Sequence, residues 1–576
     1  METKRVVLAV VLMVLLVFFT NLLFPPIAPR QPEGPAGAET DSTLLAVDST
    51  PGLPEEPAGD RAGPEGPALA GAAEAESPGF PGATPAPEDT IVVFTGLSTL
   101  RFSTRGATLL DAELNRYLSY APNGGGQKNV RLVRPLDRLF GFQVAVGEDT
   151  VALDRQLFTP SVPPGRLDVS GSGSRDSLTF RYEFPSGDVA FVVTYRFQAD
   201  RYVVDVEGRL EGFGGRGYSV LTSLGHGLQT NEKNPDEDYH ELAYVVNGRG
   251  AGIRSARLDE LETGEVSTAT GGPFHWVAVK NKYFLVAYVA PEGGAGFGGL
   301  IATGRPEPHA TGLVASLPVP AGDAGFSFRA YLGPQEYSRL EAVGQDLESA
   351  NPYGWRWLRP LIRPLVGLVM IILTWMHTTL SLAYGWVLIL FGILMRVVLF
   401  PLYQKSMRSQ MAQMHVQPLM KEIQTRHKDD PQRLQQEMIK LYKEHNVNPL
   451  AGCLPMMLPM PILFTLFFVF RGTIEFRGVP FLWLPDLSLK DPLYLIPLAM
   501  GLSMFFLQWI GQRGMEVNQQ MRVMGYAMPV VFTFMFASLP SGLNLYYTMS
   551  NLASLPQQLY LARERKAMRK QTAPQP

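Results

Sequence analysis

Cysteine is the scarcest residue here: Cys453 stands alone in 576 residues. One thiol closes no disulfide and builds no cysteine metal cluster, so any part of the chain outside a reducing compartment depends on its own core for stability. The marks of nucleotide and acyl chemistry are missing too, with no G-x-x-x-x-G-K-[ST] phosphate loop and no G-x-S-x-G elbow. "HELAY" (240–244) opens like a zinc helix but lacks the second histidine four residues on, which leaves His240 and Glu241 as loop residues of a β-domain. No catalytic residue, metal or cofactor is expected, and the chain does not read as an enzyme. A net charge of -3 gives no reason to expect nucleic-acid binding; the information lies in where the charges sit.

Long apolar runs are plentiful. Lys4-Arg5 precede nineteen apolar or weakly polar residues, Val6 to Phe24, enough to cross a bilayer at about 1.5 Å per residue. The run exceeds a signal-peptide core and no small-x-small site follows it closely, so 1–24 reads as an uncleaved anchor. Residues 25–90, dominated by Pro, Gly, Ala and Glu, bury too little to offset the entropy of ordering and form a tether. From Ile91, alternating stretches such as "AFVVTYRF" and "RYVVDVEGRL", separated by Gly, Asp and Asn turns, predict a large all-β sandwich domain. A helix in "QEYSRLEAVGQDLES" closes that domain, giving it the span 91–350.

In 355–379, Arg356, Arg359 and Arg363 lie beside tryptophans, and only thirteen largely apolar residues follow Arg363. That is too few to span, so an interfacial amphipathic helix is expected there. Spans are expected at 384–402, 452–470 and 492–510. The uncharged run from Val523 to Gln558, 36 residues or about 54 Å of helix, is too long for one crossing, and "LPSG" (539–542) divides it into 523–539 and 542–560. The expected fold class is a polytopic α-helical membrane protein with six transmembrane helices, five of them forming a core. Lys4 and Arg5 place the N-terminus inside, and six crossings return the C-terminus inside, where 561–576 carries "RERKAMRK". The loop 403–450, also inside, has eight Lys/Arg, whereas 471–491 outside has three against three Asp/Glu.

Within "FGILMRVVLFPL" (391–402), Arg396 lies six residues, about 9 Å of helix, from the inner end of its span. A long side chain can snorkel over that distance, but none of the other spans contains an Asp or Glu. A charge at that depth is costly unless it faces water or a transient anionic partner, which points to a hydrated cavity open to the cytoplasm. Gln508, Asn544, Tyr546, Tyr547, Ser550 and Asn551 are the polar residues that suit its walls, with 544, 547 and 551 on one helical face. Interhelical hydrogen bonding is the plainer use of such residues. In the loop, Met407, Met411, Met414 and Leu419 recur at near-helical spacing; Asp430-Pro431 supplies an N-cap and first helical residue, and Leu434, Met438, Leu441 and Tyr442 start a second stripe. A cytoplasmic helical hairpin over 403–450 follows, with Lys405, Asp429 and Asp430 among its candidate functional residues. Seventeen of the 22 methionines fall between Met395 and Met549, which suits either a surface accepting many apolar sequences or gap-filling in a bundle.

These residues resemble a known family. "RVVLFPL" with the basic hairpin, "YKEHNVNPLAGCLPMMLPMPIL", "DPLYLIPLAMG" and "MPVVFTFMFASLPSGLNLYYTMSNL" are similar, over 355 to 565, to the YidC branch of the YidC/Oxa/Alb membrane protein insertases. The anchor and the β-domain, with "STRGA" near its start, resemble the Gram-negative form, whose periplasmic domain is a β-supersandwich. The resemblance implies insertion and folding of proteins in the bacterial inner membrane, alone or beside the Sec translocon (SecYEG, SecDF). It implies that Arg396 lines a groove open to cytoplasm and lipid but closed to the periplasm. Nascent membrane proteins are the implied clients, ribosome or targeting factors the implied contacts of the hairpin, lipid the surroundings and a monomer the implied state, with no nucleic-acid recognition beyond the ribosome. Gly392 stands where many relatives carry threonine, which implies a less polar or wider groove there. A small-anion transporter and a membrane-anchored glycan-binding protein are the competing readings. The first should show inverted repeats, which are not visible, and the second leaves Arg396 without a role.

Overall fold

The computed structural model describes residues 88–122, 128–185, 187–306, 310–322, 325–351, 359–401, 404, 416, 419–420, 422–423, 425–427, 430–444, 460–513 and 519–572. The anchor 1–24, nearly all of the tether, Lys405, Met411, Met414, Asp429 and the start of the expected span 452–470 lie outside them.

Strands from Thr90 to Pro334 form sheets of five, six and nine strands. The nine-stranded sheet is ordered Gly252–Arg257, Ala243–Gly248, Phe274–Lys280, Phe284–Val289, Phe326–Pro334, Val203–Glu211, Ala190–Gln198, Arg175–Glu183, Thr159–Pro160. Alternation explains its two faces: Phe191, Val193, Tyr195 and Phe197 are buried, while Arg196 points out and meets Glu207 of the neighbouring strand at 2.8 Å. The buried face packs on both other sheets. Tyr195 meets Phe102 of the five-stranded sheet with ring centres 4.7 Å apart, and Phe191 meets Phe142 of the six-stranded sheet at 5.6 Å. Buried hydroxyls find backbone acceptors, Tyr195 donating to Ala107 O and Tyr288 to Ser223 O, both at 2.7 Å.

Two short helices decorate this domain, α1 (Pro235–His240) and α2 (Tyr337–Val343). Then come α3 (Arg359–Leu380), α4 (Tyr384–Val398), α5 (Pro431–Glu444), α6 (Met460–Gly472), α7 (Leu495–Gln512), α8 (Gln519–Phe536) and α9 (Ser541–Thr572). Helix α9 packs between α4 and α7, α8 lies on α7, and α6 touches α3 and α9. The outward faces are apolar, including Trp386, Leu390 and Val397 on α4 and Leu498, Phe506 and Trp509 on α7. Exposed side chains of this kind are stable in hydrocarbon, not in water.

Among the described residues, Pro360–Leu380 and Leu495–Gln512 are long and apolar enough to cross a membrane, while Tyr384–Val398, Ile462–Gly472 and Gly525–Phe536 are shorter apolar helices. Helix α3, expected to be too short to span, is thus long and apolar enough to cross, because the apolar stretch runs from Pro360 to Leu380 across Arg363. Its anchorage, however, is one-sided. Near its start Arg363 pairs with Asp346 of the β-domain at 3.0 Å; near its end the His377 ring stacks on Tyr384 at 4.1 Å, and Tyr384 in turn meets Phe476 at 5.3 Å. Phe476 belongs to the α6–α7 connector, whose neighbouring Arg477 pairs with Glu232 of the β-domain, so both ends of α3 reach the β-domain side.

Candidate functional site

The α4–α9 contact is built from small and aromatic residues. A Cβ added to Gly392 would sit 3.2 Å from Tyr546 O and 3.4 Å from Ser550 N, so the glycine lets the two backbones approach closely. Phe391 then packs on Tyr546 with ring centres 5.7 Å apart, and Tyr546 on Tyr547 at 5.1 Å. Gly392 is buried in this contact.

Toward the end of α4 the helices diverge around a cavity of about 180 Å³. Met395, Arg396 and Leu399 bound it on one side, Ile462, Leu463 and Leu507 of α6 and α7 on the others. Helix α9 contributes Tyr546 and then a polar face at Tyr547, Ser550, Asn551, Ser554 and Gln558, in steps of three and four residues. Asn551 Nδ2 donates to Ser503 Oγ of α7 at 3.1 Å, and Ser554 Oγ to Ser550 O at 2.6 Å. An arginine beside a hydroxyl- and amide-lined wall, with leucine and isoleucine opposite, can hold water and attract an anionic or polar chain segment.

Five of the expected groove residues, Arg396, Tyr546, Tyr547, Ser550 and Asn551, come together here. Two do not. Asn544 is fully buried and its Nδ2 donates to Phe536 O at 2.9 Å, satisfying the end of α8, while Gln508 faces Gly525 of α8. Asn544 shares a helical face with 547 and 551, but it lies in the first turn of α9, where the end of α8 claims it. Ser554 and Gln558 were missed, although continuing the steps from Tyr547 through Asn551 reaches both.

The end of the bundle facing the β-domain is covered. Ser541 N donates to Leu489 O at 2.7 Å and Gly542 N to Leu487 O at 2.9 Å, and Ser541 Oγ donates to Asp486 O at 3.2 Å, so the α6–α7 connector lies over the start of α9. Helix α5 is capped by Asp430, whose carboxylate accepts from Arg433 N at 3.0 Å. Buried Leu441 and Val416 pack there with Met420, Ile423 and Tyr442, and Met438 is half-buried.

A family model described as the 60Kd inner membrane protein matches residues 375–570, and one described as the YidC periplasmic domain matches 90–368. Membrane protein insertase YidC of Chlorobaculum tepidum is 33% identical over 518 residues, covering 86% of this chain and 85% of that protein. The YidC insertase of Pelodictyon phaeoclathratiforme is 34% identical over 409 residues, 67% of this chain and 69% of that one. A crystal structure of an active YidC insertase with its first transmembrane domain resolved covers 82% of this chain and 93% of its own, at 20% identity and a TM-score of 0.33. The chain therefore belongs to the YidC family of membrane protein insertases, non-enzymatic proteins of the inner membrane with a large, mostly β-sheet periplasmic domain.

Proposed function

We propose that the cavity around Arg396 is the groove through which this insertase receives the polar segment of an incoming membrane protein. The carrying observation is the union of Arg396 with Tyr547, Ser550 and Asn551 in one cavity at the end of the bundle away from the β-domain. A positive charge among polar walls attracts acidic tails, and groove water lowers the cost of drawing a polar segment partway across. The client's apolar segment then leaves along the exposed apolar faces of α4 and α7.

In this reading the β-domain is a supersandwich, both termini are cytoplasmic and the chain crosses six times: in the segment 1–24 and in α4, α6, α7, α8 and α9. Helix α3 lies along the periplasmic membrane surface, supported by the anchorage of both its ends on the β-domain side. The hairpin holding α5, with Lys405, Met411, Met414, Asp429, Asp430 and Met438, faces the ribosome or targeting factors. The protein works as a monomer, alone or beside the Sec translocon.

The test is rescue of a bacterium depleted of its own insertase by the wild type, Arg396→Ala and Arg396→Lys, with insertion of a small acidic-tailed client scored beside growth. Rescue by wild type and Lys but not by Ala is expected. Equal rescue by all three would remove the charge from the mechanism.

A further inference from the structure

The α6–α7 connector is gripped from both sides. Its inner side caps the start of α9 through the Ser541 and Gly542 amides. Its outer side enters the β-domain: Ile474, 2% exposed, joins the hydrophobic core cluster that holds the three sheets together.

Beside it Arg477 is almost completely buried, its side chain only 3% exposed. Its Nε donates to Glu232 Oε1 at 2.8 Å and its Nη2 to Asn231 O at 3.4 Å. The guanidinium lies over the Tyr120 ring at 4.6 Å and near the Phe284 ring at 5.4 Å. Asn231 is itself fixed, its Nδ2 donating to Arg131 O at 2.8 Å, so the pair anchors on the sheet and not on a free loop. Gly478 follows at φ +71°, and a side chain there would collide with the Tyr120 hydroxyl. A second ion pair, Arg471 to Glu241 at 2.9 Å, ties the end of α6 to the same domain.

We infer that the β-domain is a clamp on the outer seal of the bundle, applied through Arg477 to the connector that closes the start of α9. A buried guanidinium with a charged partner and stacked rings is held in one geometry; removing either partner strands the other in a dry site. Released from the β-domain, the connector therefore loosens together with the α8–α9 turn that it covers. The inference goes beyond client binding and is tested without it.

The experiment is hydrogen exchange on the full chain in nanodiscs, comparing wild type with Arg477→Gln, Glu232→Gln, the double variant and Arg477→Lys. Amides of residues 474–489 report the clamp, those of Ser541 and Gly542 the seal, and those of the strand Phe274–Lys280 the integrity of the β-domain. Arg477→Gln should speed exchange at the clamp and the seal by at least about tenfold with the strand unchanged, and the double variant should cost less than the sum of the singles. Where the strand also loosens, Arg477→Lys, which keeps the charge and loses the planar fork, is read in its place. Unchanged connector exchange overturns the inference, as does a loosened connector over an unchanged Ser541–Gly542 pair. Neither result bears on client insertion, which the Arg396 series decides.

Discussion

The backbone of Gly392 lies directly against that of Tyr546, leaving 3.2 Å between the carbonyl oxygen and the place a Cβ would take. The contact sets the separation of α4 and α9 just before the cavity opens, so a side chain at 392 acts on the groove from outside it. Gly392→Leu should part the helices and lower stability by about 1–3 kcal/mol, read as thermal unfolding in detergent. Gly392→Ala should cost less, since the neighbours need give only a few tenths of an ångström.

Asn544 separates structure from groove chemistry. Asn544→Ala removes the donor to Phe536 O in a fully buried site and should cost about 1–3 kcal/mol of stability. Insertion per folded molecule should stay near wild type. A large loss of insertion in a fully folded Asn544→Ala protein would put this residue back in the client path.

The clamp region should respond to pH. Burial, with Glu232 adding to it, pushes the Asp238 carboxyl up to about 7, although Lys282 and Lys280 lie near and Asn281 Nδ2 and Lys282 N both donate to it. Burial likewise lifts Glu475 to about 7, with Glu336 facing it and the Tyr337 backbone opposing the shift. A raised carboxyl pKa favours the folded state fully below the unfolded pKa, near 4, and that advantage disappears as pH rises through 7. Glu237, held low by Lys282, works in the opposite sense only below about 4.5. The junction should therefore be more stable at pH 5 than at pH 8, by on the order of 1–2 kcal/mol. Asp238→Asn with Glu475→Gln should flatten the dependence, measured by intrinsic-rate-corrected hydrogen exchange of 474–489.

Helix α3 offers a test of topology. Leu361 and Leu380, near its two ends, are 49% and 46% exposed. In a Cys453→Ser background, Leu361→Cys and Leu380→Cys should both react with a membrane-impermeant maleimide added to the periplasm. Reaction at 361 alone would show that α3 crosses.

Asp430 is the N-cap of α5, and Asp430→Ala should weaken the first turn by about 1 kcal/mol. Faster exchange confined to 431–436 is the expected signature.

The sequence by itself determined the period-two β-domain, the apolar helices, Arg396 and the polar face of α9, because each is a local pattern in the order of residues. "AFVVTYRF" had to become a strand with one buried face, and the spacing of 547, 550 and 551 had to place them on one side of a helix. Only the tertiary structure decided how those faces were used. Asn544 goes to a helix end and Gln508 to a neighbouring helix because α8 packs there, and Gly392 is consumed by an interhelical contact. The burial of Arg477, a charge in an ordinary-looking loop, depends on residues more than two hundred positions away in the chain, and no period in the sequence records which distant ring or carboxylate will meet it.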